Sequence, residues 1–211
     1  MSKITAGKLS KILKEHKRWI DDKEEGEQAD LYKADLSGAN LYKADLSDAE
    51  LSEANLSGAN LYNADLSDAH LSRADLRDAD LYNANLYRAD LSSAHLNGAD
   101  LSSADLYNAD LYYANLSNAK LSDAKLSDAD LRRASLSGAK LRGAKLRGAN
   151  LSDAYLRRAN LSRADLSEVF GLNIEQLSKV KTLYKAKLVP ELKKQVKDKY
   201  PHLLKKPEDE E

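Results

Sequence analysis

The sequence predicts an all-β solenoid of square cross-section with about seven coils, capped by one N-terminal α-helix and two C-terminal α-helices. A leucine recurs at every fifth position from Leu31 to Leu166, which makes 28 consecutive units. An alanine precedes each leucine by two residues, from Ala29 to Ala164. Glycines and polar residues add a second period of twenty. Fixed self-similarity of this kind indicates a repeat architecture.

The five-residue period fits neither a regular helix nor a flat strand. On an α-helix, a step of five advances about 500°, so the leucines would spread around the whole cylinder. On a flat strand, an odd step places successive leucines on opposite faces. An extended Ala-x-Leu segment points both side chains the same way, so a turn after each leucine would keep all of them on one side.

The twenty-residue period sets the number of sides. Gly38, Gly58, Gly98 and Gly138 share one register. Glycine, asparagine and aspartate tolerate positive φ, so this register predicts corners. Twenty residues are four units, and 28 units predict seven coils in a shaft of about 34 Å. The same register also holds Asp78 and Asn118.

The segments ADLSGANL, ANLSGANL and AKLRGAKLRGANL resemble the pentapeptide repeat family. The resemblance implies a right-handed quadrilateral β-helix over residues 29–168, with the central leucines and alanines inside. Family members often mix phenylalanine into the centre and interrupt the shaft with a loop, whereas this chain does neither. Such regularity is as typical of a consensus-built or engineered sequence as of a natural one. The predicted core includes Leu31, Leu36, Leu41, Leu46, Leu86, Leu106, Leu126, Leu146 and Leu166.

Residues 1–28 are predicted to form an N-terminal helical cap and a link. Thr5 is a suitable N-cap, and apolar residues at helical spacing form one stripe. We expect the stripe to cover the open first coil, with Trp19 packed on the end of the leucine stack rather than binding a ligand. The stripe comprises Leu9, Ile12, Leu13, His16, Trp19 and Ile20.

Residues 169–204 are predicted to form a C-terminal cap of two helices. Asn173 is the N-cap of the first, Gln176 completes a capping box, and Leu177 forms a hydrophobic staple with Leu172. This helix is expected to continue through Tyr184 to about residue 187.

The second helix is predicted to start at Pro190, a favoured first-turn residue, and to end at Tyr200. The charged tail 205–211 is expected to be disordered. The resemblance adds that a C-terminal segment makes a dimer in some family members. A monomer is favoured here, with a dimer through the C-terminal helices as the alternative.

Composition narrows the functional classes. The chain has no cysteine and no apolar run of membrane-spanning length, so we expect a cytoplasmic protein that does not bind membranes. The net charge of −1 hides a gradient: residues 29–120 carry 15 acidic and 6 basic side chains, and residues 121–168 carry 6 acidic and 10 basic.

The residue before each leucine is mostly aspartate or asparagine. One interpretation is a negatively charged ladder that imitates DNA. The other is that these short side chains accept hydrogen bonds from the backbone at the turns. The second accounts for asparagine as well as aspartate and is favoured.

Two groups of outward residues are candidate interaction surfaces. Tyr42, Tyr62 and Tyr82 share a column, which favours packing between neighbouring coils over a stacking platform for single-stranded nucleic acid. Arginines at equivalent corners of one coil could bind an anion or remain solvated, and the solvated interpretation is favoured. These arginines are Arg132, Arg142 and Arg147.

No motif predicts an enzyme, a cofactor or a metal site. His70 and His95 are 25 residues apart and so fall on different sides of the shaft. Two functional hypotheses remain. The first is a non-enzymatic rigid scaffold that could bind another protein and is not expected to bind nucleic acid directly. The second is a DNA mimic, because some pentapeptide repeat proteins bind DNA gyrase and protect it from quinolones.

Overall fold

The computed structural model describes residues 3–22 and 24–207. Most of the predicted disordered tail, residues 208–211, lies outside the described part. The helices are α1 (Ala6–Asp21), α2 (Ile174–Leu177), α3 (Pro190–Lys199) and a 3₁₀ helix (Pro201–Leu204), and the strands are β1 (Asp165–Leu166) and β2 (Lys187–Leu188).

A solenoid of parallel backbone pairs lies between α1 and α2. Each partner is twenty residues further along the chain, from Asp30 with Glu50 to Asn150 with Phe170. The interval corresponds to four five-residue units per coil, as the second sequence period predicts. The total of seven coils follows from the number of units in the sequence and stays a prediction.

The unit around Leu51 pairs all five of its backbone N–H groups. The N–H groups of Leu51 and Glu53 donate to carbonyls of the next coil at 2.7 and 2.9 Å, and that of Glu50 donates to the preceding coil at 2.9 Å. The Ala54 N–H closes the turn onto the Leu51 carbonyl at 3.0 Å. The Ser52 N–H donates to the Glu50 carboxylate at 2.7 Å. Because backbone donors are rarely left unpaired, this pattern explains why the shaft repeats so strictly.

The bond from the N–H of the residue after the leucine to the side chain before the leucine explains why that side chain is so often aspartate or asparagine. The Asn60 side-chain oxygen accepts from the Tyr62 N–H at 3.1 Å, and Asp165 accepts from the Ser167 N–H at the same distance. A short carboxylate or amide reaches the backbone two residues on. The interpretation of this position as turn-forming is therefore confirmed.

Every corner of the shaft has one residue in the left-handed backbone conformation, and it occupies the same position in each unit. The second residue after each leucine has positive φ in all 28 units, between 54° at Lys33 and 75° at Gly98. The residue before it does not, which is the arrangement of a type II turn. The sequence predicts this only for the column with glycine, asparagine and aspartate. The structure extends it to Tyr113 and Arg133, because the ladder bonds outweigh an intrinsic cost of about 1–2 kcal/mol per residue.

The leucines and alanines form one continuous core along the shaft. All nine predicted core leucines are at most 1% exposed. The core prediction is confirmed for Leu31, Leu36, Leu41, Leu46, Leu86, Leu106, Leu126, Leu146 and Leu166.

The chain covers the N-terminal end of the shaft with a short extended segment and α1. The Ile4 N–H donates to the Asp35 carbonyl at 3.0 Å, and Thr5 caps α1 as predicted. Leu9 is buried, and Ile12 and Leu13 pack against the core.

Trp19 differs from the prediction, whereas His16 is buried with the stripe. His16 is fully buried, and its Nδ1 accepts a hydrogen bond from the Ala29 N–H at 3.0 Å, which joins α1 to the first unit. Trp19 is half-buried and stacks on His16 with ring centroids 5.6 Å apart. The expected packing of Trp19 on the leucine stack is therefore corrected, because the smaller side chains nearer the start of α1 cover that end.

At the C-terminal end, the predicted capping box is confirmed but the predicted helix is too long. Asn173 and Gln176 form both bonds of the box, and Leu177 is buried. However, α2 ends at Leu177, and Tyr184 lies at a corner of the shaft rather than on a helix.

A concealed unit of the repeat explains the early end of α2. Leu183, Ala186 and Leu188 have the spacing of the shaft, and β2 pairs in parallel with β1. Lys185, between Leu183 and Ala186, has the positive φ of a corner. The partners are 22 residues apart instead of twenty because α2 adds two residues. Burial of Leu183 therefore outweighs local helix propensity.

Gln176 closes the last coil. Its Nε2 donates to the carbonyls of Leu151 and Ala154 at 2.9 and 3.0 Å. In the preceding coil, the Ala134 carbonyl accepts instead from the Tyr155 N–H of the next coil. The Gln176 amide thus replaces a ladder bond on the side of the shaft that α2 covers, before pairing resumes at residues 179–188.

We predict that Gly26→Ala destabilises the N-terminal cap far more than Gly58→Ala. Both glycines have positive φ, at 74° and 62°. A Cβ on Gly26 would overlap the Glu15 carbonyl oxygen and lie 2.8 Å from the Trp19 nitrogen, whereas one on Gly58 meets nothing within 4 Å. The expected loss is at least about 2 kcal/mol beyond the control, as for other severe overpacking. Thermal unfolding of both variants, together with hydrogen exchange in the first coil, measures the difference in stability. Equal losses in the two variants would show that Gly26 does not pack closely against Glu15 and Trp19.

We predict that Gln176→Met lowers stability by about 1–3 kcal/mol, the cost of leaving buried polar groups unpaired. Methionine keeps the volume but removes three hydrogen bonds. Gln195→Met is the control, since the Gln195 amide bonds to the exposed Glu191 side chain. Urea unfolding should separate the two variants. A loss no larger than that of the control would show that Gln176 does not close the shaft.

Candidate interaction surface

The outward residues of the shaft form straight columns. Residues twenty apart sit above one another because the backbone pairs them in register. The positions available to a partner are the residue before each leucine and the two after it, while the leucine and alanine are buried. The core therefore fixes the position of each outward side chain without depending on its identity.

The tyrosine column consists of Tyr42, Tyr62 and Tyr82, and it stacks as predicted. Ring centroids are 5.8 Å apart for the first pair and 5.2 Å for the second. Tyr42 is 48% exposed and Tyr82 is 38% exposed. Lys43 places its ammonium 5.1 Å from the Tyr42 ring centre, within cation–π range. The column packs neighbouring coils together and leaves ring edges and hydroxyls accessible to a partner.

The acidic coils, residues 29–120, carry the negative part of the charge gradient. Some of their carboxylates form ion pairs, such as Asp75 with Arg77 at 2.6 Å and Asp100 with Lys120 at 2.9 Å. The Arg77 guanidinium lowers the pKa of the Asp75 carboxyl.

Asp110 differs from Asp75 in the direction of its pKa shift. Partial burial raises its pKa, and the hydrogen bond from the Tyr112 N–H only partly offsets this. The carboxylates of Asp130 and Asp90, in the same column, raise it further. Asp110 is thus a carboxylate whose charge the fold disfavours.

The three predicted corner arginines have different surroundings. Arg132 forms a bidentate pair with Asp130, with Nε–Oδ1 at 2.9 Å and Nη2–Oδ2 at 2.5 Å. Arg147 pairs with Glu168 at 2.8 and 2.9 Å. Arg142 lines a cavity together with other cations. The three arginines of the predicted belt therefore have different neighbours and do not form a single site.

The basic cavity has a volume of about 260 Å³ and is lined by the cations Lys140, Arg142, Arg158 and Lys181. Sequence reasoning missed Lys181 because it assigned this residue to a helix. The Lys181 N–H donates to the Ala159 carbonyl at 2.8 Å, which places Lys181 one coil above Arg158 and two coils above Lys140. The leucine and alanine spacing of residues 183–188 was the signal that could have located it.

His70 and His95 stand in different columns, and within residues 3–22 and 24–207 no group of three or more His, Cys, Asp or Glu side chains could hold a metal ion. In the same part of the chain, every helix is too short or too polar to cross a bilayer.

The family described as Pentapeptide repeats matches the chain in eight copies, with matches from residue 29 to residue 170. The chain belongs to the pentapeptide repeat family. This membership implies a right-handed β-helix. No curated protein matches the chain.

Solved pentapeptide repeat proteins are similar to this chain. A trypsin-treated form of QnrB1, a plasmid-mediated fluoroquinolone resistance protein, has 25% identity and a TM-score of 0.69 over 81% of this chain and 84% of that one. Full-length QnrB1 has 24% identity and a TM-score of 0.68 over 79% and 85%. HetL, involved in heterocyst differentiation regulation in Nostoc sp. strain PCC 7120, has 30% identity over 88% and 91%, with a TM-score of 0.32.

We predict that Asp110→Asn raises stability at pH 7, while Asp75→Asn lowers it. Asparagine keeps the turn hydrogen bond in both, as Asn60 shows. The raised pKa of Asp110 means that its charge opposes folding above that pKa, so the gain should vanish as the pH falls through it. The expected changes are a few tenths of a kcal/mol, because solvent screens partly exposed charges.

The control variant should show the opposite pH dependence. The lowered pKa of Asp75 stabilises the fold above about pH 4, and this contribution is lost as the pH falls through the folded-state value. Unfolding midpoints in guanidinium chloride between pH 3 and 7 measure both effects. A stability loss for Asp110→Asn at pH 7 would contradict the assignment.

Proposed function

We propose that the protein is a non-enzymatic interaction protein: a rigid capped repeat scaffold that presents ordered side-chain columns to another protein. The observation that carries the proposal is the separation of core and surface. Every hydrogen bond that defines the coil involves the backbone or the residue before the leucine. The two corner residues of each unit are therefore available for recognition, and stacked columns such as the tyrosine column hold them in fixed register.

Capping supports a discrete, monomeric rod rather than an open array. Unpaired strand edges invite association with other chains. Here α1 and residues 3–4 cover one end, and α2 with Gln176 covers part of the other. The regularity of the sequence, which resembles that of a consensus-built repeat array, also supports a scaffold. Each unit contributes the same core leucine and the same turn.

A second candidate is a DNA mimic that binds DNA gyrase, and the acidic coils favour it. Residues 29–120 have a net charge of −9 and span about 22 Å at 4.8 Å per coil. This is one net charge per about 2.4 Å, compared with about 1.7 Å for B-form DNA. The similarity to QnrB1, a fluoroquinolone resistance protein, supports the same candidate. The ten basic residues between 121 and 168 disfavour a mimic that uses the whole shaft.

We would test the two candidates with a gyrase supercoiling assay across protein concentration, with and without a quinolone, and with light scattering on the same sample. The scaffold proposal expects no effect on supercoiling from a monomer. Inhibition or quinolone protection at low micromolar protein would instead support the DNA mimic, and a dimer mass would connect it to the C-terminal helices.

If gyrase responds, charge variants locate the surface. Asp45→Asn, Asp65→Asn and Asp90→Asn together remove three charges from the acidic coils while keeping turn acceptors. A mimic should lose about tenfold or more in apparent affinity, because such binding depends on charge.

The matched control removes the same number of charges from the other half of the shaft, by Asp123→Asn, Asp128→Asn and Asp153→Asn. It should leave the gyrase response unchanged. Equal losses in both variants would show that net charge matters rather than the acidic coils.

A further inference from the structure

Tyr155 differs from every other tyrosine of the chain in having an open ring. The other ten tyrosines each contact another ring or a cation. Within residues 3–22 and 24–207, Tyr155 has no such contact, and its hydroxyl forms no hydrogen bond. It is 64% exposed, the highest value of the eleven. The ring therefore adds little to the core, and its face and hydroxyl are available to a ligand.

The shaft does not require a tyrosine at this position. Tyr155 stands before a leucine, where Asn160 in the next unit accepts the Ser162 N–H at 3.0 Å. A phenol is too long to make this turn bond. The ring is also isolated in its own column, because small Ser135 lies in the coil below and α2 replaces the coil above. The chain thus gives up a turn bond here and leaves an aromatic face uncovered.

Tyr155 lines two cavities beside α2, of about 560 and 220 Å³. The smaller cavity is also lined by Arg157 and Lys179 and by no carboxylate. In the described part of the chain, neither cation forms an ion pair. The Arg158 N–H donates to the Lys179 carbonyl at 2.8 Å, so the two cations lie at the same corner in successive levels of the shaft. Positive charge is therefore placed directly beside the open ring.

The larger cavity provides a second aromatic ring and balanced charge. Tyr113 is 48% exposed, and the Arg133 guanidinium lies 5.4 Å from its ring centre. Arg133 and Lys179 line this cavity together with the carboxylates of Asp153 and Glu175, and Asp153 is 3.8 Å from Arg133. We therefore expect an anionic group to bind on the side of the smaller cavity.

The ligand that fits carries a planar face for the ring and negative charge for the cations. The tyrosine column lacks the second condition, because residues 29–120 carry 15 acidic and 6 basic side chains and repel phosphate. Tyr155 lies within residues 121–168, which carry 6 acidic and 10 basic. A nucleotide in a single strand has both features. An acidic peptide would satisfy the cations and leave the ring uncovered.

We propose that Tyr155, Arg157 and Lys179 form a binding site for single-stranded nucleic acid. One base stacks on Tyr155, and its neighbouring phosphates contact the two cations. Tyr113 offers a ring to an adjacent base on the side of the larger cavity. The site differs from the sequence-based prediction of no direct nucleic-acid binding, which considered the tyrosine column and not Tyr155. It lies outside the acidic coils, so it does not depend on the proposed scaffold function.

The test is a fluorescence anisotropy titration of a labelled oligodeoxythymidine of about 16 nucleotides with the full-length protein at low salt. Tyr155→Ala should weaken binding by about fivefold to a hundredfold, the contribution of one stacked base. Tyr155→Phe keeps the ring and should bind as the wild type does. The matched control, Tyr42→Ala, removes an exposed ring from the acidic coils and should change nothing. Absence of binding by the wild type, or unchanged binding by Tyr155→Ala, would overturn the proposal.

A charge pair tests the phosphate contacts. Arg157→Gln with Lys179→Gln should reduce the slope of log affinity against log salt by about 1.4, since each phosphate contact to a single strand contributes about 0.7. Lys33→Gln with Lys43→Gln makes the same change in net charge within the acidic coils and should leave the slope unchanged. Equal changes in both pairs would overturn the proposal.

Polyglutamate distinguishes nucleic acid from an acidic protein partner. We expect it to displace the oligonucleotide only weakly, because it has no planar group for Tyr155. Displacement at the same concentration as unlabelled oligodeoxythymidine, unaffected by Tyr155→Ala, would overturn the proposal and assign the surface to an acidic protein.

Discussion

The type II corner after each leucine is the constraint on which this molecule depends. It turns the chain by one side of the square after every five residues, and it directs every leucine and alanine inward. The corner needs a residue with positive φ, and the chain places lysine, arginine, glutamate, serine and tyrosine there as well as glycine. These residues accept the conformation because their N–H groups then complete the ladder with the next coil. The fold thus rests on backbone pairing that repeats cooperatively, with side-chain preference at the corner as a secondary influence.

In a shaft built in this way, backbone N–H and carbonyl groups lack a neighbouring coil only at the two ends. The two ends pair these groups in different ways. At the N-terminal end, a buried histidine accepts the N–H of Ala29, and small apolar residues of α1 cover the first leucines. At the C-terminal end, the amide of Gln176 donates to the Ala154 carbonyl, which no backbone N–H of a next coil reaches, and to the Leu151 carbonyl. Both solutions use one polar side chain from a helix, since a helix cannot itself continue the ladder.

Charge is organised along the shaft by the same register that builds it. Residues twenty apart become neighbours, so a carboxylate below a lysine forms an ion pair, as Asp100 and Lys120 do. A lysine above another lysine leaves an unbalanced column, as at Lys140. The acidic coils and the basic cavity are therefore consequences of which residue types recur at an interval of twenty.

The sequence by itself determined the shaft, because the leucine, alanine and twenty-residue periods leave one geometry that buries all 28 leucines. It also determined Thr5, Asn173 and Pro190 as helix starts, since capping is a local interaction. Only the tertiary structure decided where α2 ends, because Leu183 gains burial from the coil beneath it and not from its own neighbours in sequence. The same long-range pairing decided that Trp19 stacks on His16 and that Lys181 joins Lys140 and Arg158 at one cavity. These contacts depend on the 22-residue step and on the fit of the caps, which no local pattern specifies.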